Sequence, residues 1–84
     1  MKNKIALITG ATSGIGKASA ITLAMMGYDI IATGRRKERL QELGKELPTG
    51  VRFLPLVFDV RDREKVGEIL GSLPSEWSSV DVLI

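Results

Sequence analysis

Near the start of the chain, the run Thr9-Gly10-Ala11-Thr12-Ser13-Gly14-Ile15-Gly16 has the composition of a main-chain anion site. A phosphate is held well where backbone N–H groups come within hydrogen-bond reach of it. The start of a helix offers such groups together with the positive end of the helix dipole. A Cβ blocks close approach, so the nearest positions favour glycine. Gly10 is placed to make a tight turn, Gly14 to let the backbone meet phosphate oxygens, and Gly16 to let a helix pack closely. Thr12 and Ser13 add hydroxyl and N–H donors, and Ala11 and Ile15 complete the same cradle. The plain alternative is a connecting turn with flexible glycines.

Spacing separates this run from two other phosphate motifs. The pattern G-x-x-x-x-G-K-[ST] would need glycine at Ala11 and a hydroxyl at Ala18, so the group that holds Mg²⁺ in a nucleotide hydrolase is missing. The pattern G-x-G-x-x-G fails because Gly14-Ile15-Gly16 is followed by Lys17-Ala18-Ser19.

A cradle of this kind must be positioned by a strand before it and a helix after it. Ile5-Ala6-Leu7-Ile8 is a continuous apolar run, as expected of a strand buried on both faces. A helix is predicted over 13–26, with Ile15, Ala18, Ile21, Thr22 and Met25 along one side and Gly27 ending it. Residues 29–33 read as a second buried strand, closed by Gly34. Residues 36–47 read as a helix with Leu40, Leu43 and Leu47 on one face. Residues 51–58 read as a third strand, and Pro55 places it at the sheet edge. A third helix is predicted over 63–73, with Val66, Ile69, Leu70 and Leu73 as its stripe and Asp62 and Glu64 about its first turn. A loop over 74–79 leads to a fourth strand over 80–84. The order β-α-β-α-β-α-β predicts an α/β fold, a Rossmann-type parallel sheet with helices on its faces. The chain stops within an apolar strand, so it reads as the amino-terminal part of a single doubly wound, dinucleotide-binding domain whose remainder is absent.

With these elements in place, T-G-x-x-x-G-I-G resembles the pattern of the short-chain dehydrogenase/reductase family. The resemblance covers the whole chain and includes Gly34-Arg35-Arg36, Asp59-Val60 and Asp81-Val82-Leu83-Ile84. Within the family the chain is most similar to NADP-dependent 3-hydroxy acid (serine-type) dehydrogenases. That similarity lies in Ala32-Thr33-Gly34-Arg35-Arg36, Arg39-Leu40-Gln41-Glu42-Leu43 and Leu73-Pro74-Ser75-Glu76-Trp77.

NAD-binding folds usually carry Asp or Glu at the end of the second strand. Here Thr33-Gly34 stands there, followed by Arg35 and Arg36, two guanidinium groups able to fork onto a 2′-phosphate. NADP(H) is therefore the expected cofactor. The competing reading is that Arg35 and Arg36 only open a solvated helix with Lys37. Asp59 and Val60 close the third strand, where open α/β sheets bind ligands. The residues alone leave Asp59 between capping the next helix and accepting from an adenine amino group. The resemblance implies that Asp59 and Val60 hold the adenine.

In the family, hydride transfer uses Ser, Asn and a Y-x-x-x-K arrangement whose lysine lowers the tyrosine pKa. No Y-x-x-x-K occurs in these residues, and no serine can be matched to the catalytic one. Tyr28 lies at the amino end of the second strand, away from the cradle. Trp77 reads as packing under a loop, Met25 and Met26 as ordinary helix residues, and the mixed-sign run Arg61-Asp62-Arg63-Glu64-Lys65 as a solvated helix start. No catalytic residue is assigned. The longer protein is expected to move hydride between nicotinamide and a small alcohol or carbonyl compound, such as a 3-hydroxy acid, and to be a homo-oligomer. A stand-alone nucleotide-binding module without chemistry is the alternative.

Composition narrows the field further. The 84 residues carry 12 Lys and Arg against 10 Asp and Glu, too small a basic excess for a nucleic-acid partner. Cysteine and histidine are both lacking, which excludes disulfides, thiolate nucleophiles, zinc clusters and histidine bases within these residues. A reducing cytoplasm fits this usage. The opening Met1-Lys2-Asn3-Lys4 is basic, as in a signal peptide, but Thr9-Gly10 stops the apolar run far short of a signal core or a membrane span.

Overall fold

A computed structural model describes residues 3–12, 14–59, 61, 63–77 and 79–84. The expectations placed on Met1, Lys2, Ser13, Val60 and Asp62 lie outside the described residues. The elements are β1 (Ile5–Ile8), α1 (Gly14–Met25), β2 (Asp29–Gly34), α2 (Lys37–Glu46), β3 (Phe53–Val57), α3 (Arg63–Gly71) and β4 (Val82–Leu83). The four strands form one parallel sheet in the order β3-β2-β1-β4. In its registers Leu7 lies beside Ile31 and Leu83, and Ala32 beside Pro55. Central β1 and β2 are buried along their whole length, which is why they are apolar without alternation. β3 is at the edge, where a proline costs the sheet least. The chain moves outward from β1 to β3 and then returns to the other side of β1. The carboxyl ends of β1 and β4 therefore flank a crevice where the strand order reverses.

Alternate strand residues feed two cores. Ala6, Ile8, Ile30 and Ala32 pack with Ala11, Ala20 and Ala24 beneath α1 and with Leu40 and Leu43 of α2. Ile5, Leu7 and Ile31 pack on the opposite face with Trp77, which sits in a short 3₁₀ turn (Ser75–Trp77) within the expected loop. Across that face Val66, Ile69 and Leu70 of α3 meet Leu7, Leu56 and Phe58 around a cavity of about 240 Å³.

The apolar side expected of α1 is not the one it buries. Ile15 is 84% exposed and Met25 74%, whereas Ala20 and Ala24 are fully inside. α1 is apolar nearly all round, so periodicity gives its existence but not its direction. The small pair, one turn apart, lets the helix lie close to the sheet. The helix ends as expected: Gly27 takes φ 95°, its N–H bonds the Ala24 carbonyl (3.0 Å), and the Tyr28 N–H bonds that of Leu23 (3.0 Å).

At the amino ends of the strands, buried Asp29 gathers neighbouring segments. Its carboxylate accepts from Asn3 Nδ2 (2.9 Å), from the Arg52 N–H (2.8 Å) and from Arg52 Nε (2.8 Å). The Arg52 guanidinium in turn lies over the Trp77 ring, 4.6 Å from its centre. Burial pushes the Asp29 carboxyl up, but the hydrogen bonds from Arg52 and Asn3 and the guanidinium charge together hold it below its ordinary value. A depressed carboxyl contributes stability above its unfolded pKa, near 3.9, and loses it as pH falls through the lower folded value. Asp29→Asn should therefore cost about 1.5 kcal/mol at pH 7. Urea midpoints followed from pH 7 down into acid should draw toward those of the unaltered protein as pH falls through the folded pKa. Parallel curves across that range would show that the carboxylate charge is not what stabilises.

Candidate nucleotide-binding site

The glycine turn leaves β1 at the carboxyl edge of the sheet and runs directly into α1. Gly10 (φ 61°) and Gly14 (φ 55°) both take the left-handed conformation. A Cβ at either position would meet nothing within 4 Å, so the space in front of both is open. Any other L-residue would be strained there by about 1–2 kcal/mol. Gly16 differs. A Cβ there would strike the Gly10 carbonyl oxygen and come within 3.0 Å of the Gly10 carbonyl carbon and 3.3 Å of Ala11 Cα. The third glycine thus closes the turn on itself, and helix-to-sheet packing, the role expected from sequence, is not what demands it.

The amides divide into two sets. The N–H groups of Gly10 and Ala11 are turned toward β2, donating to Thr33 Oγ1 (3.3 Å) and to the Thr33 carbonyl (3.0 Å). This corrects the reading of the whole run as a main-chain anion site: the Gly10 and Ala11 amides are used within the protein. The first-turn amides of α1, those of Gly14, Ile15 and Gly16, have no acceptor within the helix and stand at its positive end. Ser13, assigned to the cradle by sequence, lies outside the described residues.

Thr33 is a site residue that sequence reading passed over. It is 1% exposed, and its hydroxyl also lies 3.4 Å from the Ile8 carbonyl, so one side chain ties the end of β2 to the turn. Thr33→Val keeps the shape and removes the acceptor for the Gly10 N–H. It should cost about 1 kcal/mol in stability and roughly fivefold in nucleotide affinity. Calorimetric titration and denaturation of the variant would show whether both fall together.

Gly34, Arg35 and Arg36 follow. A Cβ on Gly34 would come 2.9 Å from Thr12 Cγ2 and 3.4 Å from Leu40, so glycine lets Thr12 lie against the end of β2. Arg35 and Arg36 are exposed. Arg36 precedes α2 in extended conformation (φ −119°, ψ 115°), with no capping bond from its side chain. With Thr12, Lys17 and Arg39 it lines a cleft of about 470 Å³ between α1 and α2. Glu46 in that cleft is paired with Lys17 at 3.1 Å.

Asp59 follows β3 at the same edge of the sheet. Arg61 encloses its carboxylate: the Arg61 N–H bonds Oδ1 (2.9 Å), Nε reaches both oxygens (3.1 Å each), and Nη2 bonds Oδ2 (2.7 Å). The Arg61 side-chain and backbone hydrogen bonds, with smaller help from the charges of Arg61 and Arg35, hold the carboxyl down to about 2. Asp59 thus stays ionised well into acid, and Arg35 lies near enough to feel its charge. The bond to the Arg61 N–H, two residues on, is an Asx turn ahead of α3. Arg61 was expected only to begin a solvated helix. Val60, the expected partner of Asp59, lies outside the described residues. Gly10, Ala11, Thr12, Gly14, Ile15, Gly16, Arg35, Arg36 and Asp59 all fall at the carboxyl edge or beside it. Among the described residues no helix is long and apolar enough to cross a membrane.

The chain is similar to known proteins over nearly its whole length. The chain is 46% identical over 80 residues to the NADP-dependent 3-hydroxy acid dehydrogenase of Escherichia coli K12, covering 95% of this chain and 32% of that protein. It is 48% identical over the same length to sulfoacetaldehyde reductase 2 of Chromohalobacter salexigens, again covering 95% and 32%. Among solved structures, the closed form of serine dehydrogenase complexed with NADP⁺ superposes with a TM-score of 0.77. It is 47% identical, with 94% of this chain and 31% of that chain covered. The chain spans about a third of the length of these relatives. The family model for short chain dehydrogenases matches residues 4–84, and the chain belongs to that family.

Proposed function

We propose that residues 1–84 form the amino-terminal, NADP(H)-binding part of a single dinucleotide-binding domain. The whole protein would be an oxidoreductase acting on a small alcohol or carbonyl compound. The observation that carries this reading is the left-handed turn at Gly10 and Gly14. It opens onto the first-turn amides of α1, which have no acceptor within the helix, and two arginines follow β2 where an NAD-binding fold would place a carboxylate.

The residues present fit the cofactor. The amides of Gly14, Ile15 and Gly16, with Ser13, would hold the diphosphate, and Gly10, Ala11 and Thr12 would shape the cradle. Arg35 and Arg36 would bind the 2′-phosphate, each able to offer forked, charge-assisted hydrogen bonds. Asp59 and Val60 would hold the adenine. When bound, the nicotinamide supplies or accepts the hydride. The part played by these residues is to bind and orient, and no proton transfer is assigned to any of them.

The similar proteins named above support NADP(H) and a small substrate. By their names they act on 3-hydroxy acids, serine and sulfoacetaldehyde, each an alcohol or aldehyde that also bears an acidic group. A 3-hydroxy acid and its keto acid are accordingly the substrate pair we favour, in a cytoplasmic homo-oligomer. Fluorescence titration of the intact protein should give NADPH binding at least roughly tenfold tighter than NADH binding, the worth of one charge-assisted hydrogen bond. Equal affinities would overturn the assignment of Arg35 and Arg36.

A further inference from the structure

We propose that Arg61 is a positioning residue for the cofactor: by chelating Asp59 it fixes the direction in which the carboxylate accepts, which selects a 6-aminopurine over a 6-oxopurine. This rests on the reading that Asp59 faces the adenine.

A carboxylate has about four acceptor sites. Arg61 makes four bonds to this one at 2.7–3.1 Å, two on each oxygen: the backbone N–H on Oδ1, Nη2 on Oδ2, and Nε shared between both. The single hydrogen of the shared Nε satisfies neither oxygen fully, which leaves the carboxylate able to accept one N–H of an exocyclic amino group. The two torsions of a half-buried aspartate would otherwise be free to turn, and a wandering acceptor discriminates poorly because its ordering must be repaid on binding. Here the guanidinium and the Asx turn hold the group before any ligand arrives. Arg61 itself is exposed, with 77% of its side chain accessible, so its substitution should leave the fold undisturbed. A 6-oxopurine offers a carbonyl where adenine offers the amino group. An ionised carboxylate has no hydrogen to give it, and two acceptors would face each other.

The test compares NADPH with its 6-oxo analogue, nicotinamide hypoxanthine dinucleotide phosphate, by equilibrium titration of the intact protein. Both probes carry the 2′-phosphate and the diphosphate, so their affinity ratio is blind to a general change of charge. The unaltered protein should prefer NADPH roughly tenfold. Asp59→Asn, which can both accept and donate, should bring the ratio to about one. Arg61→Ala should lower it to roughly threefold or less, and Arg61→Lys, which keeps a donor, should restore part of the difference. If Asp59→Asn abolishes the preference but Arg61→Ala leaves it tenfold, the role of Arg61 is overturned and the adenine reading stands. If Asp59→Asn leaves the preference intact, the adenine reading fails and the role of Arg61 fails with it.

Discussion

Arg35→Ala is expected to weaken NADPH binding roughly ten- to a hundredfold while leaving NADH affinity within about twofold of its starting value. The asymmetry is the informative part. A guanidinium forked onto a 2′-phosphate is worth about 1.5–3 kcal/mol, the range for hydrogen bonds to charged groups, and NADH has no such phosphate to lose. Arg35 is exposed, and its charge helps to hold the Asp59 carboxyl down. Arg36 lines the cleft beside Thr12. Arg36→Ala should therefore have a smaller effect of the same sign, and the double variant should approach the affinity for NADH. An equal loss for both cofactors would mean that Arg35 acts on the fold or on the diphosphate and does not read the 2′-phosphate.

Gly16→Ala should have the second large effect. The added Cβ meets the Gly10 carbonyl, a backbone atom that cannot rotate out of the way, so the turn itself must move. Overpacking of this kind costs about 1–3 kcal/mol. Displaced first-turn amides should in addition lower NADPH affinity roughly a hundredfold, equivalent to two lost charge-assisted hydrogen bonds. Gly67→Ala provides the comparison. Gly67 lies inside α3 with nothing within 4 Å of a built Cβ, so alanine there should stabilise by about 0.5–1 kcal/mol and leave binding unchanged. Normal NADPH binding by Gly16→Ala would show that the turn tolerates rearrangement.

Some features were legible in the residues because the forces that fix them are local. Buried parallel strands demand unbroken apolar runs, and Ile5–Ile8 supplies one. Gly27 ends α1 through its own backbone, and Pro55 marks an edge strand for want of a donor. The glycine turn announces its position in the same way. What escaped depends on partners far along the chain. The acceptors for Gly10 and Ala11 come from Thr33, more than twenty residues later, and no spacing rule connects them. The side that α1 buries is set by the sheet beneath it, and a helix apolar all round gives no hint of that side. Gly16 resembles a packing glycine until the turn is seen to fold back on it. Arg61 is a different case. The Asp59–Arg61 spacing is short enough to suggest an Asx turn, but the alternating charges after it read more simply as a solvated helix start.

A crystal structure of the intact protein with NADP⁺ tests the central claim most directly. The diphosphate oxygens should lie about 2.7–3.2 Å from the N–H groups of Ile15 and Gly16, with the 2′-phosphate against Arg35 and Arg36. The amides of Gly10 and Ala11 should remain on Thr33. A diphosphate bound elsewhere, with those first-turn amides still facing water, would contradict the assignment of this turn as the cofactor cradle.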